Sequence, residues 1–139
     1  MSTHSSITVK TSNGKFQTVY CHFDGYPEGV GKTLALHYNS QEKAEALIAG
    51  GDISVLGEHC DQPEGHSFCH PVEGYTIYYG RDRGEQNTLA RNYYLFTEVL
   101  KKEQQEYNYL FDGKEWLCVE CPLTEYCCEE ELFITESSE

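Results

Sequence analysis

No stretch of this 139-residue chain approaches the roughly 18 apolar residues that a membrane-spanning helix needs. The opening segment MSTHSSITVK has no apolar core of signal-peptide length, so a soluble, cytoplasmic protein is expected. Basic residues are few, at 10 Lys+Arg against 23 Asp+Glu, a formal net charge of −13. Binding a phosphate backbone takes a basic stripe, so direct nucleic-acid contact is excluded as an expectation. Docking on an anionic membrane surface is excluded on the same ground. No internal repeat is visible. The seven cysteines (Cys21, Cys60, Cys69, Cys118, Cys121, Cys127 and Cys128) are odd in number, which does not suit a disulfide framework. Free thiols are expected, with a metal site as the alternative.

Aromatic residues, by contrast, are plentiful: 11 Tyr, six Phe and one Trp. A disordered acidic tail does not carry so many, so a folded core is expected. The length suits one domain, residues 1–139, with a core over about 6–133 and an end over 134–139 that frays.

Ile7 and Val9 alternate with Thr8 and Lys10, which predicts a strand over 6–10. The turn Ser12-Asn13-Gly14 leads to a second strand over 16–22. A glycine-rich loop over 24–31 precedes a helix reaching Tyr38, with Leu34 and Tyr38 one turn apart. A second helix starts at Asn39 or Ser40, buries Ala44, Leu47 and Ile48, and stops at Gly50-Gly51. Ile53 to Leu56 is a short apolar continuation. Residues 57–74 hold three Gly, two Pro and three His, and read as an irregular loop. Tyr75–Tyr79 reads as a strand, with Arg81–Glu85 as its exit turn. Leu89, Tyr93, Phe96 and Leu100 recur at helical spacing. Asp112-Gly113 reads as a two-residue hairpin turn, which would set Tyr109 opposite Trp116 and Tyr107 opposite Cys118. Leu123–Phe133 suggests a last helix. The order predicts an α+β domain: a small antiparallel or mixed sheet of about five strands, with two to four helices on one face.

Three constellations could carry chemistry. Gly25-Tyr26-Pro27-Glu28-Gly29-Val30-Gly31-Lys32-Thr33 sits where a phosphate-binding loop belongs. Its spacing fails, because Tyr26 stands where the first glycine should be. Glu28 would set a carboxylate in the cradle, and Pro27 removes a backbone donor. His59, Cys60, His66, Cys69 and His70 supply five potential zinc ligands within twelve residues, with Cys118 and Cys121 as further thiols. They are the candidates for a structural zinc, although H-C-x5-H-x2-C-H matches no standard finger. His22 and Asp24 leave the second strand, and Arg81 and Arg83 leave the Tyr75–Tyr79 strand. If the two ends are neighbours, His22 could do acid–base work while an arginine holds an anion. A plain salt-bridge network is the competing reading.

Tyr20-Cys-His-Phe-Asp-Gly-Tyr-Pro-Glu-Gly-Val-Gly31, His66-Ser-Phe68, Thr76–Glu85 and Tyr107–Trp116 resemble a family of small proteins from tailed phages and prophages. Its members share a Y-x-H-x-D-G-Y-P-x-G-x-G stretch and a later R-D-R-G-E-like turn. The resemblance covers most of residues 7–119. It implies a phage accessory gene product acting in the host cytoplasm and transfers no catalytic residue. Cys60, Cys69 and the cysteines from Cys118 to Cys128 lie outside that pattern.

Setting and charge together point to a binding protein that modulates or inhibits a host protein. A nucleic-acid-handling defence complex, the target of anti-restriction or anti-CRISPR factors, fits the acidity. Net charge is −5 over residues 1–90 and −8 over 91–139. Glu125, Glu129, Glu130 and Glu131, with Tyr109 and Trp116, are the candidate docking residues. The alternatives are a small enzyme or anion-binding protein using His22, Asp24, Arg81 and Arg83, and a zinc-stabilised interaction module.

Overall fold

The computed structural model describes residues 3–120 and 134–136. Elements follow in the order β1 (Ser5–Lys10), β2 (Phe16–Cys21), a π-helical turn (Pro27–Gly31), α1 (Lys32–His37), α2 (Gln41–Ile48), β3 (Ile53–Val55) and β4 (Ile77–Tyr78). Then come α3 (Tyr79–Arg83), β5 (Arg91–Tyr93), α4 (Phe96–Glu103), β6 (Tyr107–Phe111), β7 (Trp116–Glu120) and β8 (Ile134–Glu136). The architecture is α+β. One mixed sheet of eight strands runs β4-β3-β2-β1-β6-β7-β8, with β5 also pairing β2. The β1–β6 and β2–β3 pairs are parallel and the others antiparallel. Among the described residues, no helix is long and apolar enough to cross a membrane.

The period-2 pattern of β1 explains the two layers around the sheet. Ile7 and Val9 face α1 and α2 and join Leu34, Tyr38, Ala44, Leu47 and Ile48 in the main core. Ser40 caps α2 by accepting from the Lys43 amide at 3.2 Å. Ser6 and Thr8 face the other way and are also fully buried. There the Thr8 and Thr18 hydroxyls meet at 2.9 Å, and the Ser6 hydroxyl donates to Asn108 Oδ1 at 2.6 Å. Such buried polar groups persist because each finds a partner. Val99 and Leu100 of α4 are buried but lie outside the main core, and Phe96 meets Phe16 at 6.2 Å between ring centres. Helices therefore cover both faces of the sheet, not the single face expected.

Other expectations are corrected by long-range pairing. The helix expected from Leu89 begins only at Phe96, because residues 91–93 pair with Phe16–Thr18 of β2. The Glu98 carboxylate accepts from the Tyr94 and Leu95 amides at 3.0 Å each and so sets the helix start. Arg91 binds Asp52 at 3.1 Å and Glu103 at 3.0 Å, which ties β5 to β3 and α4. The exit turn at Arg81 is instead the short helix α3, closed by Gly84 in the left-handed conformation (φ +85°). The β6–β7 register differs by two residues from the Asp-Gly hairpin. Phe111 faces Trp116, Tyr109 faces Cys118 and Tyr107 faces Glu120. Asp112 lengthens the turn by accepting from the Lys114 and Glu115 amides at 2.9 and 3.0 Å. Ile134–Glu136, placed by sequence in a fraying end, pairs with β7 as β8. The helix expected over Leu123–Phe133 lies outside the described residues.

Candidate functional site

No hydrogen bond, ion pair or ring contact joins His22 or Asp24 to Arg81 or Arg83. His22 continues β2, and its amide donates to the Ile53 carbonyl on β3 at 3.0 Å. β3 runs parallel to β2 and antiparallel to β4. His22 and Tyr78, the last residue of β4, thus flank Ile53 from opposite sides, and β3 stands between His22 and the exit of β4. Each group is held separately. The His22 Nδ1 and the Tyr20 hydroxyl are 2.6 Å apart, and the His22 ring stacks on His4 at 4.6 Å. Burial and the neighbouring His4 lower the His22 pKa, while burial and nearby charges push Tyr20 up to about 12. Arg83 lies on the surface with Glu85 at 3.3 Å and stacks on the Phe68 ring.

Arg81 belongs to a buried network centred on Asp82, a hub the sequence reading did not single out. The Arg81 Nε and Nη2 donate to the two Asp82 oxygens at 2.8 and 3.0 Å. The Tyr78 amide donates to Asp82 Oδ2 at 2.8 Å and Gln62 Nε2 donates to Oδ1 at 3.2 Å. Burial alone would raise the Asp82 carboxyl, but these hydrogen bonds and the charges of Arg81 and His66 hold it below its ordinary value. His66 Nε2 lies 3.3 Å from Asp82 Oδ2, and its Nδ1 accepts from the Val72 amide at 2.9 Å. Both ring nitrogens are buried, Nδ1 on the Val72 amide and Nε2 beside the Asp82 carboxylate. Arg81 Nη1 also donates to the Cys60 carbonyl at 2.8 Å. The network is a clamp that holds residues 57–74 on α3.

That clamp also disperses the metal candidates. His66 is spent on Asp82 and Val72, and Cys69 is exposed. Cys118 is buried on β7, its thiol pushed up to about 11 by burial. Cys121 lies outside the described residues. His59 and Cys60 share an open groove of about 330 Å³ with His37. Even there, no three His, Cys, Asp or Glu side chains among the described residues group as a metal ion would require.

The glycine-rich stretch is a structural clasp. A Cβ on Gly25 would lie 2.8 Å from Ser5 Cβ and 2.9 Å from the Thr3 carbonyl. A Cβ on Gly31 would lie 3.1 Å from the Tyr109 ring. The Tyr109 hydroxyl donates to the Gly25 carbonyl at 2.7 Å. The glycines let the turn lie flat on β1 and β6, and no phosphate cradle is needed to explain them. Tyr109 and Trp116 are consequently core residues, 0% and 3% exposed, and are removed from the docking set. Trp116 donates to the Tyr38 carbonyl at 2.8 Å. Glu125, Glu129, Glu130 and Glu131 lie outside the described residues.

What the clasp presents outward is a run of aromatic and acidic groups. Asp24 holds a left-handed conformation (φ +56°), which Asp tolerates better than most residues. Phe23 and Tyr26 on either side of it are 40% and 39% exposed. The Phe23 ring meets His22 edge-on at 4.6 Å, and the Tyr26 hydroxyl lies 3.4 Å from Asp24 Oδ1. Burial raises the nearby Tyr107 hydroxyl, and the charges of Glu120, Glu106 and Glu28 raise it further. Glu120 stands opposite Tyr107 in the β6–β7 register, and Glu106 precedes that tyrosine, at the end of the sheet where β2 and β7 finish. No Lys or Arg occurs between Lys15 and Lys32, a signal legible in the sequence. Compared with known proteins, the chain matches no family model, no curated protein and no solved structure.

Proposed function

We propose that this chain is a phage accessory protein that occupies a basic surface on a host protein, of the kind that handles nucleic acid in a defence complex. The setting comes from the sequence resemblance. One observation carries the rest: every arginine is held by the chain's own carboxylates. All three arginines are paired with the chain's own carboxylates, Arg81 with Asp82, Arg83 with Glu85, and Arg91 with Asp52 and Glu103. What remains outward is an excess of acid on a chain of net charge −13. An acidic surface with no arginine to clamp an anion complements a basic groove and repels nucleic acid.

Pull-down from host lysate, followed by reconstitution with the purified partner, tests the reading. Complex formation is expected to weaken at least tenfold between about 50 and 500 mM salt, because exposed charge pairs are screened. The purified partner is expected to lose its nucleic acid when the chain is added. A complex indifferent to salt, or one that binds nucleic acid alongside the chain, would sink the proposal.

A further inference from the structure

We infer that the turn over residues 22–28 is an arginine-reading surface: Phe23 and Tyr26 offer ring faces to guanidinium groups, while Asp24 and Glu28 accept their hydrogen bonds. This rests on the proposed docking to a basic partner and names where and how that docking occurs. The features are separate. Two large aromatic side chains, Phe23 and Tyr26, are about two-fifths exposed on one short turn, whereas Tyr94, the most exposed tyrosine among the described residues, stands beside Lys15. Carboxylates alternate with them in sequence at 24 and 28. The turn itself is rigid, since Val30 and Gly29 close it by donating to the Asp24 and Tyr26 carbonyls at 2.9 Å each. Gly25 is locked against Thr3, donating to its carbonyl at 2.8 Å. A rigid platform loses little entropy on binding.

Charge fixes the occupant. Beside the turn, His4 stacks on His22, the His4 amide lies 3.4 Å from Glu106 Oε1, and the charges of Glu106 and Glu28 act on Tyr107. None is a lysine or an arginine. An aromatic patch rimmed by carboxylates selects a cation. A planar guanidinium fits better than an ammonium, because it stacks on a ring while donating two parallel hydrogen bonds to a carboxylate. A partner that presents arginines, as nucleic-acid-binding grooves do, meets both requirements.

The test uses nona-arginine and nona-lysine peptides at about 50 mM salt, with affinities from fluorescence anisotropy and amide shifts from NMR. Nona-arginine is expected to bind about fivefold tighter than nona-lysine and to shift the amides of residues 22–28. The double variant Phe23→Ala/Tyr26→Ala removes two partly exposed rings outside the main core, and a cooperative melt is the control that it folds. The variant is expected to bind the two peptides equally. Asp24→Asn, which suits the left-handed backbone, is expected to weaken nona-arginine more than nona-lysine. Equal affinities for wild type, or shifts confined to Glu125–Glu131, would overturn the inference. The proposed function has a separate outcome. If the variants lose arginine preference nowhere yet the host partner is still bound in a salt-sensitive way, the docking reading stands and this surface is wrong. If wild type binds neither peptide nor partner, both fall.

Discussion

Asp82→Ala is expected to cost about 3 kcal/mol of stability and to lower the melting temperature by on the order of 10 °C. The Asp82 side chain is fully buried and accepts four hydrogen bonds, two from Arg81 and one each from the Tyr78 amide and Gln62, with His66 Nε2 3.3 Å away. Removing the carboxylate leaves the Arg81 charge with the Cys60 and Thr76 carbonyls and the Tyr78 ring. The loss sits at the low end of the range for a broken buried pair, because Arg81 is 25% exposed and water can reach it. The effect should also be local. Amides that depend on the clamp, those of Phe68 and Val72, are expected to lose hydrogen-exchange protection first.

A pH series separates charge from shape. The Asp82 pKa is held below its ordinary 3.8. A carboxylate depressed in the folded state adds stability above its unfolded pKa and loses it as pH falls through the folded value. The stability gap between wild type and Asp82→Asn is therefore expected to be constant near neutrality and to close below about pH 4. Thermal melts at stepped pH measure it. A gap that persists unchanged into strong acid would mean that packing alone, and not the charge, holds the clamp.

The elements legible in the sequence are those made by local pattern. Alternation in Ile7 and Val9, the spacing of Leu34 and Tyr38, and the stripe Ala44, Leu47 and Ile48 all mark buried positions as expected. What escaped is held by contacts between distant residues. The clamp joins Cys60 to Arg81 and Gln62 to Asp82, about twenty positions apart, through side chains that look like ordinary loop residues. β5 is three residues long and polar, so only its pairing with β2 reveals it. The Asp-Gly signal marked the hairpin, but the Asp112 side chain, bonding its own turn, moved the register by two. For the candidate site, residues 24–31 are legible in the sequence as a glycine-rich loop that follows the second strand. Its separation from Arg81 and Arg83 is not, because the insertion of β3 between β2 and β4 leaves no mark on either strand's sequence.

Tyr109→Ala is expected to be the other severe substitution, at about 3–5 kcal/mol. Tyr109 is wholly buried, faces Ile7 on β1 and Cys118 on β7, and its ring rests against Gly31. Its hydroxyl closes the distance between β6 and the clasp by donating to Gly25. Burial, first among several causes, raises its pKa, so it remains a donor throughout the range in which the protein folds. Tyr109→Phe isolates that one bond. It keeps the ring and strips the Gly25 carbonyl of its donor, a loss of about 1–3 kcal/mol. The consequence reaches the surface, because Gly25 lies between Asp24 and Tyr26. If Tyr109 holds the arginine-reading turn in place, Tyr109→Phe lowers affinity for nona-arginine while the sheet stays folded. Asp82→Asn, destabilising through a clamp on another part of the fold, is expected to leave that affinity alone. Equal losses in the two variants would mean that affinity follows global stability, and that Tyr109 does no positioning.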